Sequence, residues 1–189
     1  MFNGGHRVKQ LNPTLWRTCR ALSGRTRLGL LRHVLEQPGG NVSQHAEHLA
    51  IGISDASQEL RRLQSRGLLK RSCQGAAVVY LPIPDPQVPS AAPILKALQA
   101  TWNGTPGNIE EVARRAMGLA CERRVSIVRA LAQQPRSAVD LANLVRTGPD
   151  NLKKHLRILR ESGWVTKQNK TFVLCPATHP VQAALLKLL

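Results

Sequence analysis

The sequence is poor in aromatic and acidic residues. Only 3% of its 189 residues are Phe, Trp or Tyr, while 42% are hydrophobic. A core must therefore be largely aliphatic, and the length suits one compact domain or two small ones. Aromatic platforms on which single-stranded bases could stack are scarce, which argues against a single-strand binder.

Cysteine pairs and long apolar runs are also missing. The four cysteines, Cys19, Cys73, Cys121 and Cys175, include no CxxC pair. This spacing indicates neither a disulfide framework nor a zinc site, so free thiols are expected. The amino terminus has no apolar signal segment, and prolines interrupt the longest uncharged stretches. We therefore expect no membrane-spanning segment and a cytoplasmic location.

The small number of acids leaves a large positive charge. Lysine and arginine number 27 against 11 acidic residues, for a formal net charge of +16. Residues 1–100 hold 13 basic and 5 acidic residues, and residues 101–189 hold 14 and 6. A surplus spread over both halves predicts a polyanionic partner, and nucleic acid is favoured over an anionic membrane.

An internal repeat organises the chain. Residues 27–38 align with residues 124–135 without a gap, at an offset of 97. One deletion then reduces the offset to 96, and both copies continue through a glycine into β-prone segments at 78–81 and 171–174. The further aligned pairs are Val42 with Ala138, Ala46 with Ala142, Leu49 with Val145, Leu60 with Leu156, Leu63 with Leu159, and Gly67 with Gly163.

Each copy has a readable order of elements. Leu28, Leu31 and Leu35 recur at the spacing of one helical face, which predicts an amphipathic helix. The full pattern predicts helix, helix, short helix, tight turn, helix, two-stranded wing and helix, which is a winged helix-turn-helix. The predicted divisions are a winged-helix domain 1 over residues 1–100, a Gly- and Pro-rich linker over 101–108, and a winged-helix domain 2 over 109–189.

Residues 141–165 resemble the helix-turn-helix of the ArsR-like transcriptional regulators. They contain the His155-Leu156 pair and, after two spacers, Leu159, followed by a glycine and a hydrophobic residue. In the first copy, residues 54–63 resemble the family's recognition helix, but Glu59 stands where the family usually has His.

The resemblance implies a mainly α fold with small β wings. ArsR-like proteins dimerise through their terminal helices, so two tandem winged helix-turn-helix domains would form an intramolecular pseudo-dimer. Whether the chain associates with itself again is left open. The predicted seam residues are Leu15, Leu22, Ile94, Leu95, Leu98, Val112, Leu119, Val181, Leu185 and Leu188.

The helices over residues 54–65 and 150–161 are the predicted recognition helices. If the regularly spaced leucines of the second helix face inward, its polar residues lie on the opposite faces, where they can enter a major groove. Asn can pair with an adenine edge, Arg with guanine, and Lys with guanine or phosphate. The candidate DNA-binding residues are Ser57, Gln58, Arg61 and Arg62 in the first helix, and Asn151, Lys153, Lys154 and Arg157 in the second.

Basic residues also stand where the wings are expected to turn. Lys70 and Arg71 precede the β-prone segment of the first copy, and Lys167 and Lys170 precede that of the second. Cations at these positions can reach phosphates or an adjacent minor groove. Phosphate contact by both wings is therefore predicted.

Other chemistry has little support in the sequence. His45 and His48 lie one helical turn apart, but no acid or thiol is placed to complete a metal site, so partly buried structural histidines are expected. The sequence has no nucleophile elbow, phosphate-binding glycine loop or HExxH segment. We therefore expect no enzymatic activity, cofactor, metal or identifiable small-molecule ligand.

The resulting hypothesis is a nucleoid-associated, sequence-specific regulator of transcription that binds double-stranded DNA. Because Ser57-Gln58 differs from Lys153-Lys154, its two half-sites should be unequal and the operator an imperfect palindrome. Two alternatives remain. Tandem winged helices also serve as protein-interaction scaffolds in chromosome-organising complexes, and plasmid-type replication initiators also join two winged helices.

Overall fold

The computed structural model describes residues 14–75, 77–103 and 108–189. The first thirteen residues of the predicted domain 1 and residues 104–107 of the predicted linker lie outside these ranges. The first half, residues 14–103, contains α1 (Leu15–Leu22), α2 (Arg25–Glu36), α3 (Val42–His48), α4 (Ile53–Gln64), β1 (Lys70–Gln74), β2 (Ala77–Leu81) and α5 (Ala91–Trp102).

The second half, residues 108–189, has a similar order of elements with one additional short strand. The fold is thus mainly helical with small antiparallel sheets, as expected for a winged helix-turn-helix. The elements are α6 (Ile109–Leu119), α7 (Glu122–Gln133), β3 (Arg136–Ser137), α8 (Ala138–Leu144), α9 (Pro149–Glu161), β4 (Val165–Gln168), β5 (Thr171–Leu174) and α10 (Pro180–Lys187).

The short helices α3 and α8 start in the same way. The Asn41 side chain accepts a hydrogen bond from the Gln44 amide at 2.9 Å, and the Gln44 side chain accepts one from the Asn41 amide at 2.8 Å. Ser137 and Asp140 form the same reciprocal cap at the start of α8. Such a capping box satisfies two amide groups that the first turn of a helix leaves unpaired. It therefore fixes where α3 and α8 begin.

The tight turns that follow these helices also match. Ala50 and Arg146 adopt left-handed backbone conformations, with φ of 51° and 47°. The next residue then donates its amide to a carbonyl of the preceding helix, from Ile51 to Ala46 in the first half at 3.0 Å. A residue in the left-handed conformation ends a helix sharply. α3 and α8 therefore end at these turns, and α4 and α9 begin after them as separate helices. They lie within one residue of the predicted recognition helices.

The wings are antiparallel hairpins. β1 pairs with β2, and β4 pairs with β5, with β3 added on the other side of β5. The first half has a single bridge between Asn41 and Val79 in place of a β3 strand. The first hairpin turns at Gly75, which has a φ of 60°, and the second at Asn169, with a φ of 52°.

The predicted linker begins two residues too early. α5 continues through Thr101 and Trp102, because the Trp102 side chain is buried against the core and only 9% exposed. At the other end, α6 starts at Ile109, and the Asn108 side chain caps it by accepting the Glu110 amide at 2.9 Å. Of the eight residues in the predicted linker, Asn103 and Asn108 are thus the described residues outside a helix.

Helices from both halves share one core. α1 packs against α6, α5 against α10, and α2 against α6. The buried side chains of both halves form one continuous cluster, and Leu15 and Leu188 are half-buried against it. Eight other predicted seam residues are buried: Leu22, Ile94, Leu95, Leu98, Val112, Leu119, Val181 and Leu185. Among the described helices, none combines the length and the apolar character needed to cross a bilayer.

Candidate nucleic-acid interface

Helix α9 separates an apolar face from a polar one. Leu152, Leu156 and Leu159 are at most 5% exposed and anchor the helix to the core. α6, α7 and α8 pack around it. Because the leucines face inward, the predicted contact residues on the other faces are exposed. These residues are Asn151, Lys153, Lys154 and Arg157.

The cations of α9 are only loosely held within the protein. The Lys153 ammonium lies 3.2 Å from Asp150, and Arg157 Nε lies 3.9 Å from Glu161. Each of these side chains is at least two-thirds exposed. Exposed pairs of this kind contribute roughly 0.2–1 kcal/mol, so a phosphate can replace the carboxylate at little cost. Lys154 forms no ion pair within the described parts of the chain.

Helix α4 is anchored in the same way but is electrically balanced. Its inward residues are fully buried, Ser57 is half-buried, and Gln58, Arg61 and Arg62 are exposed. The Arg62 guanidinium donates a hydrogen bond to Glu59. α4 holds two acidic and two basic residues, whereas α9 holds two acidic and four basic residues. The two helices therefore present unequal charge to a polyanion.

An arginine near the start of the second helix in each half binds the end of the preceding helix. Arg27 Nη1 donates to the carbonyl of Ala21 at 2.7 Å, and Arg124 Nε donates to the carbonyl of Gly118, also at 2.7 Å. Carbonyls at a helix C-terminus lack partners within the helix, so a guanidinium is well placed there. These two arginines occupy aligned positions of the repeat.

The residues that face these arginines differ between the halves. Glu59 accepts a hydrogen bond from Arg27 Nε, whereas the aligned residue in the second half is His155. Burial lowers the pKa of His155, and the positive charges of Arg124 and Arg123 lower it further. Glu59 therefore places a carboxylate where it neutralises Arg27.

The cations of the first wing are not at its tip. Lys70 and Arg71 pair with Leu81 and Tyr80 at the base of the hairpin, so the prediction that they lie at the turn is wrong. The reason is the length of β1, which extends through Gln74 and places Arg71 about 13 Å from the turn. Both side chains are exposed, but the base of the hairpin lies next to the end of α4.

The cations of the second wing flank its turn as predicted. Lys167 lies on β4 opposite Phe172, and Lys170 lies in the turn between the strands. Both are exposed. The second half thus has cations both on α9 and at the tip of its wing, which is an arrangement that can contact phosphates on either side of a groove.

A cluster of three histidines was not predicted from the sequence. His33, on α2, joins His45 and His48 on α3. The Nδ1 atoms of His33 and His45 lie 2.9 Å apart, and the ring of His48 stacks on that of His33 with centroids 3.7 Å apart. Among the described residues, no group of three or more His, Cys, Asp or Glu side chains is arranged to hold a metal ion. In this cluster the two Nδ1 atoms are directed at each other, and stacked rings do not converge on one point.

Comparison with known proteins supports the assignment of the second half. Residues 121–167 match the family described as "Bacterial regulatory protein, arsR family". The matched segment is about a quarter of the chain and contains α7, α8 and α9. It indicates a helix-turn-helix, DNA-binding regulator of transcription, with double-stranded DNA as its partner. A search of curated proteins finds no match to the chain.

Proposed function

We propose that the chain is a sequence-specific double-stranded DNA-binding regulator of transcription, in which α4 and α9 enter major grooves and the wings contact phosphates. The carrying observation is that α9, inside the matched segment, presents three exposed cations and Asn151 on the side away from its buried leucines. This geometry suits groove binding because the exposed polar side chains of α9 can reach base edges while its buried leucines hold the helix against the core. We propose a binding role rather than a catalytic one.

We further propose that the first half is a second winged helix-turn-helix. The aligned starts and turns of the two halves support this, since Asn41 and Ser137 form equivalent caps and Ala50 and Arg146 form equivalent left-handed turns. None of these four residues is buried in the core. The match between their conformations in the two halves is therefore independent of the hydrophobic pattern.

We also propose that the halves form a pseudo-dimer within one chain. The first helices of the two halves pack against each other, and so do the last helices. In a two-fold dimer each surface meets the same surface of its partner, and these two pairings follow that rule. The two recognition helices would then occupy successive major grooves about 34 Å apart. Further self-association of the chain is an open part of the proposal.

The recognition helices differ, so the DNA site should be an imperfect palindrome. Lys153 and Lys154 align with Ser57 and Gln58, and a cationic pair reads guanine or phosphate where a Ser-Gln pair has neutral donors and acceptors. We expect the half-site read by α9 to supply most of the electrostatic attraction, because α9 has twice as many basic residues as α4.

The test is selection of bound sequences from a random duplex pool, followed by binding measurements across a range of salt concentrations. We expect a motif with two related, unequal halves one helical turn apart and, for about eight phosphate contacts, a log–log salt slope near −7. A footprint of one half-site would contradict the pseudo-dimer. Weak binding to all duplexes at moderate salt would contradict the DNA role and favour a protein-interaction scaffold.

A further inference from the structure

The three histidines join the two helices that support the first recognition helix. His33 is in the last turn of α2, and His45 and His48 are in the last turn of α3. α3 in turn packs against α4. A cavity of about 550 Å³ opens beside the cluster and is lined by Gln37, Gln44 and Glu47 in addition to the histidines. The cluster is therefore close to water although His45 itself is buried.

The contact between His33 and His45 requires one shared proton. Their Nδ1 atoms lie 2.9 Å apart, so one must donate and the other must accept. If both rings become imidazolium ions, both Nδ1 atoms carry hydrogens and both rings carry positive charge. The hydrogen bond is then replaced by repulsion. His48, stacked on His33 at 3.7 Å, adds a third positive charge when it is protonated.

The surroundings offer little compensation for that charge. His45 is fully buried, and among the described residues no group forms a well-aligned hydrogen bond with its Nε2 atom. Glu36 faces His33 from α2, but its carboxylate already accepts a hydrogen bond from Arg32 at 2.7 Å. In the described part of the chain, the remaining charged groups around the cluster are Glu47 on α3, and Arg25 and Glu110 in the groove that also contains His33 and His48.

The pKa shifts agree with this geometry. Burial lowers the pKa of His33 below 6.5, and the charge of His48 lowers it further, while Glu36 acts in the opposite direction. Burial also lowers the pKa of His45, and the charge of His33 adds to the effect, against a smaller opposing contribution from the Gly40 backbone. Neither α4 nor β2, which pack against α3, contributes a charged group to these shifts in the described structure.

The second half lacks this cluster. The residues aligned with His33, His45 and His48 are Ala130, Leu141 and Leu144. Leu141 is fully buried, like His45, so an aliphatic side chain fills the same place in the fold. The requirement for a shared proton is therefore confined to the first half.

We propose that the His33–His45–His48 cluster is a pH-sensitive contact that loosens the first helix-turn-helix on acidification. The packing of α3 on α2 is retained while His33 and His45 hold a single proton between them, and it is lost when both are protonated. If α4 binds DNA as proposed above, its binding should weaken at acidic pH. That consequence rests on the proposed function, whereas the structural change itself does not.

The sign of the effect follows from the lowered pKa values. As the pH falls through about 6.5, histidines in the unfolded chain take up protons, whereas His33 and His45 in the folded chain stay neutral until the pH is lower. The unfolded state then binds more protons than the folded state. Stability that is fully present above about pH 6.5 is therefore lost progressively as the pH falls toward the lowered values.

The first measurement is an NMR titration of the histidine ring protons in the full chain, without DNA. Single substitutions assign the signals. We expect His33 and His45 to titrate below 6.5 and to influence each other, so that neither follows a simple one-proton curve. Independent titration of both at or above 6.5 would overturn the proposal.

The second measurement is hydrogen exchange in residues 25–48 at about pH 7.5 and about pH 5.5, corrected for intrinsic exchange rates. We expect protection to fall by about tenfold or more in the wild-type chain, which corresponds to a loss of about 1.4 kcal/mol in opening free energy. The matched variant carries the second-half residues, His33→Ala, His45→Leu and His48→Leu, and should lose that fall. Exchange in residues 122–144 should respond to pH equally in both proteins.

The same loss of protection in the variant as in the wild type would overturn the proposal. The proposal would also be overturned if Zn²⁺ at constant neutral pH changed the protection of residues 25–48 and acidification did not. If the variant does not fold, the wild-type titration still decides. Because both measurements omit DNA, failure of the chain to bind DNA would sink the proposed function and leave this result intact.

Discussion

Arg27 and Glu59 form an ion pair between α2 and α4, at the positions that Arg124 and His155 occupy in the second half. Both side chains of the pair are less than one-fifth exposed. The second carboxylate oxygen of Glu59 accepts a hydrogen bond from Arg62. The Glu59 carboxylate therefore both holds α4 against α2 and neutralises the charge of Arg62 on the candidate DNA surface.

Replacing Glu59 should change stability and DNA binding in opposite directions. Glu59→Gln leaves the Arg27 guanidinium largely buried without a counter-charge, and we expect a loss of about 1–2 kcal/mol. The same change releases Arg62, so DNA affinity should rise and the salt slope should steepen by about one. Urea denaturation and fluorescence anisotropy at several salt concentrations measure the two effects. Glu36→Gln, which breaks the more exposed pair with Arg32, should cost less than about 0.5 kcal/mol; an equal cost for both variants would refute the argument.

On the proposed function, α4 and α9 should contribute unequally to DNA binding. Lys153→Ala with Lys154→Ala removes two exposed cations and should reduce the salt slope by about two. Arg61→Ala with Arg62→Ala should reduce it by about one, because Glu59 already neutralises Arg62. Lys96→Ala, on the outer face of α5, is the control and should leave binding unchanged. Equal losses from the two double variants would show that the internal ion pair does not matter.

Gly118 is required by the packing of Trp164. A Cβ atom at position 118 would lie 2.3 Å from Trp164 Cδ1 and 2.4 Å from Ser162 Oγ. Gly118→Ala should therefore destabilise the chain by about 3 kcal/mol. Gly148→Ala, where an added Cβ meets nothing within 4 Å, should have an effect below about 1 kcal/mol in the same denaturation experiment.

The first half suggests a compensating change for Gly118→Ala. There the aligned residues are Ala21, which is larger than the glycine at position 118, and Leu68, which is smaller than the tryptophan at position 164. Trp164→Leu alone should destabilise the chain, since it removes a buried ring and its hydrogen bond to the Arg115 carbonyl at 2.8 Å. The double variant should be more stable than the sum of the single effects predicts. Simple additivity would contradict a direct clash.

The cysteines should differ sharply in reactivity. Burial raises the pKa of Cys19 to about 12, so almost no thiolate exists at mildly alkaline pH. Cys73 is exposed on the first wing. Brief treatment with iodoacetamide at about pH 8 should label Cys73 and spare Cys19, whose pKa is raised from the ordinary value of 9.0. Peptide mass spectrometry reads the result, and labelling of Cys19 before denaturation would contradict its burial.

The helices of this fold could be predicted from the sequence because the hydrophobic pattern fixes them. Leu152, Leu156 and Leu159 face inward as their spacing required, and so the exposure of Lys153 and Lys154 follows. A helical face is a local property of the chain. For this reason the limits of α4 and α9 were predicted within one residue of those observed.

The first wing was predicted less well, for a physical reason. Ser72, Cys73 and Gln74 have weak strand propensity, yet they pair with Val79, Val78 and Ala77. The register of a hairpin depends on its turn and on cross-strand packing, and the segment's own composition gives little indication of either.

The ion pair and the histidine cluster could not be predicted at all. Arg27 and Glu59 are 32 residues apart, and His33 and His45 are 12 apart on different helices. These contacts depend on how helices pack in three dimensions. The departure at Glu59 was visible in the sequence, but the arginine that explains it was not.

The unequal charges of α4 and α9 within one polypeptide have a consequence for direction. A regulator made of two identical subunits sits on its operator equally well either way round. Here one end of the molecule carries Glu59 and the other His155, and the peptide chain prevents the exchange of either end for a second copy of its partner. On the proposed function, the protein would bind its site in a single orientation, so that the same face always points toward the promoter.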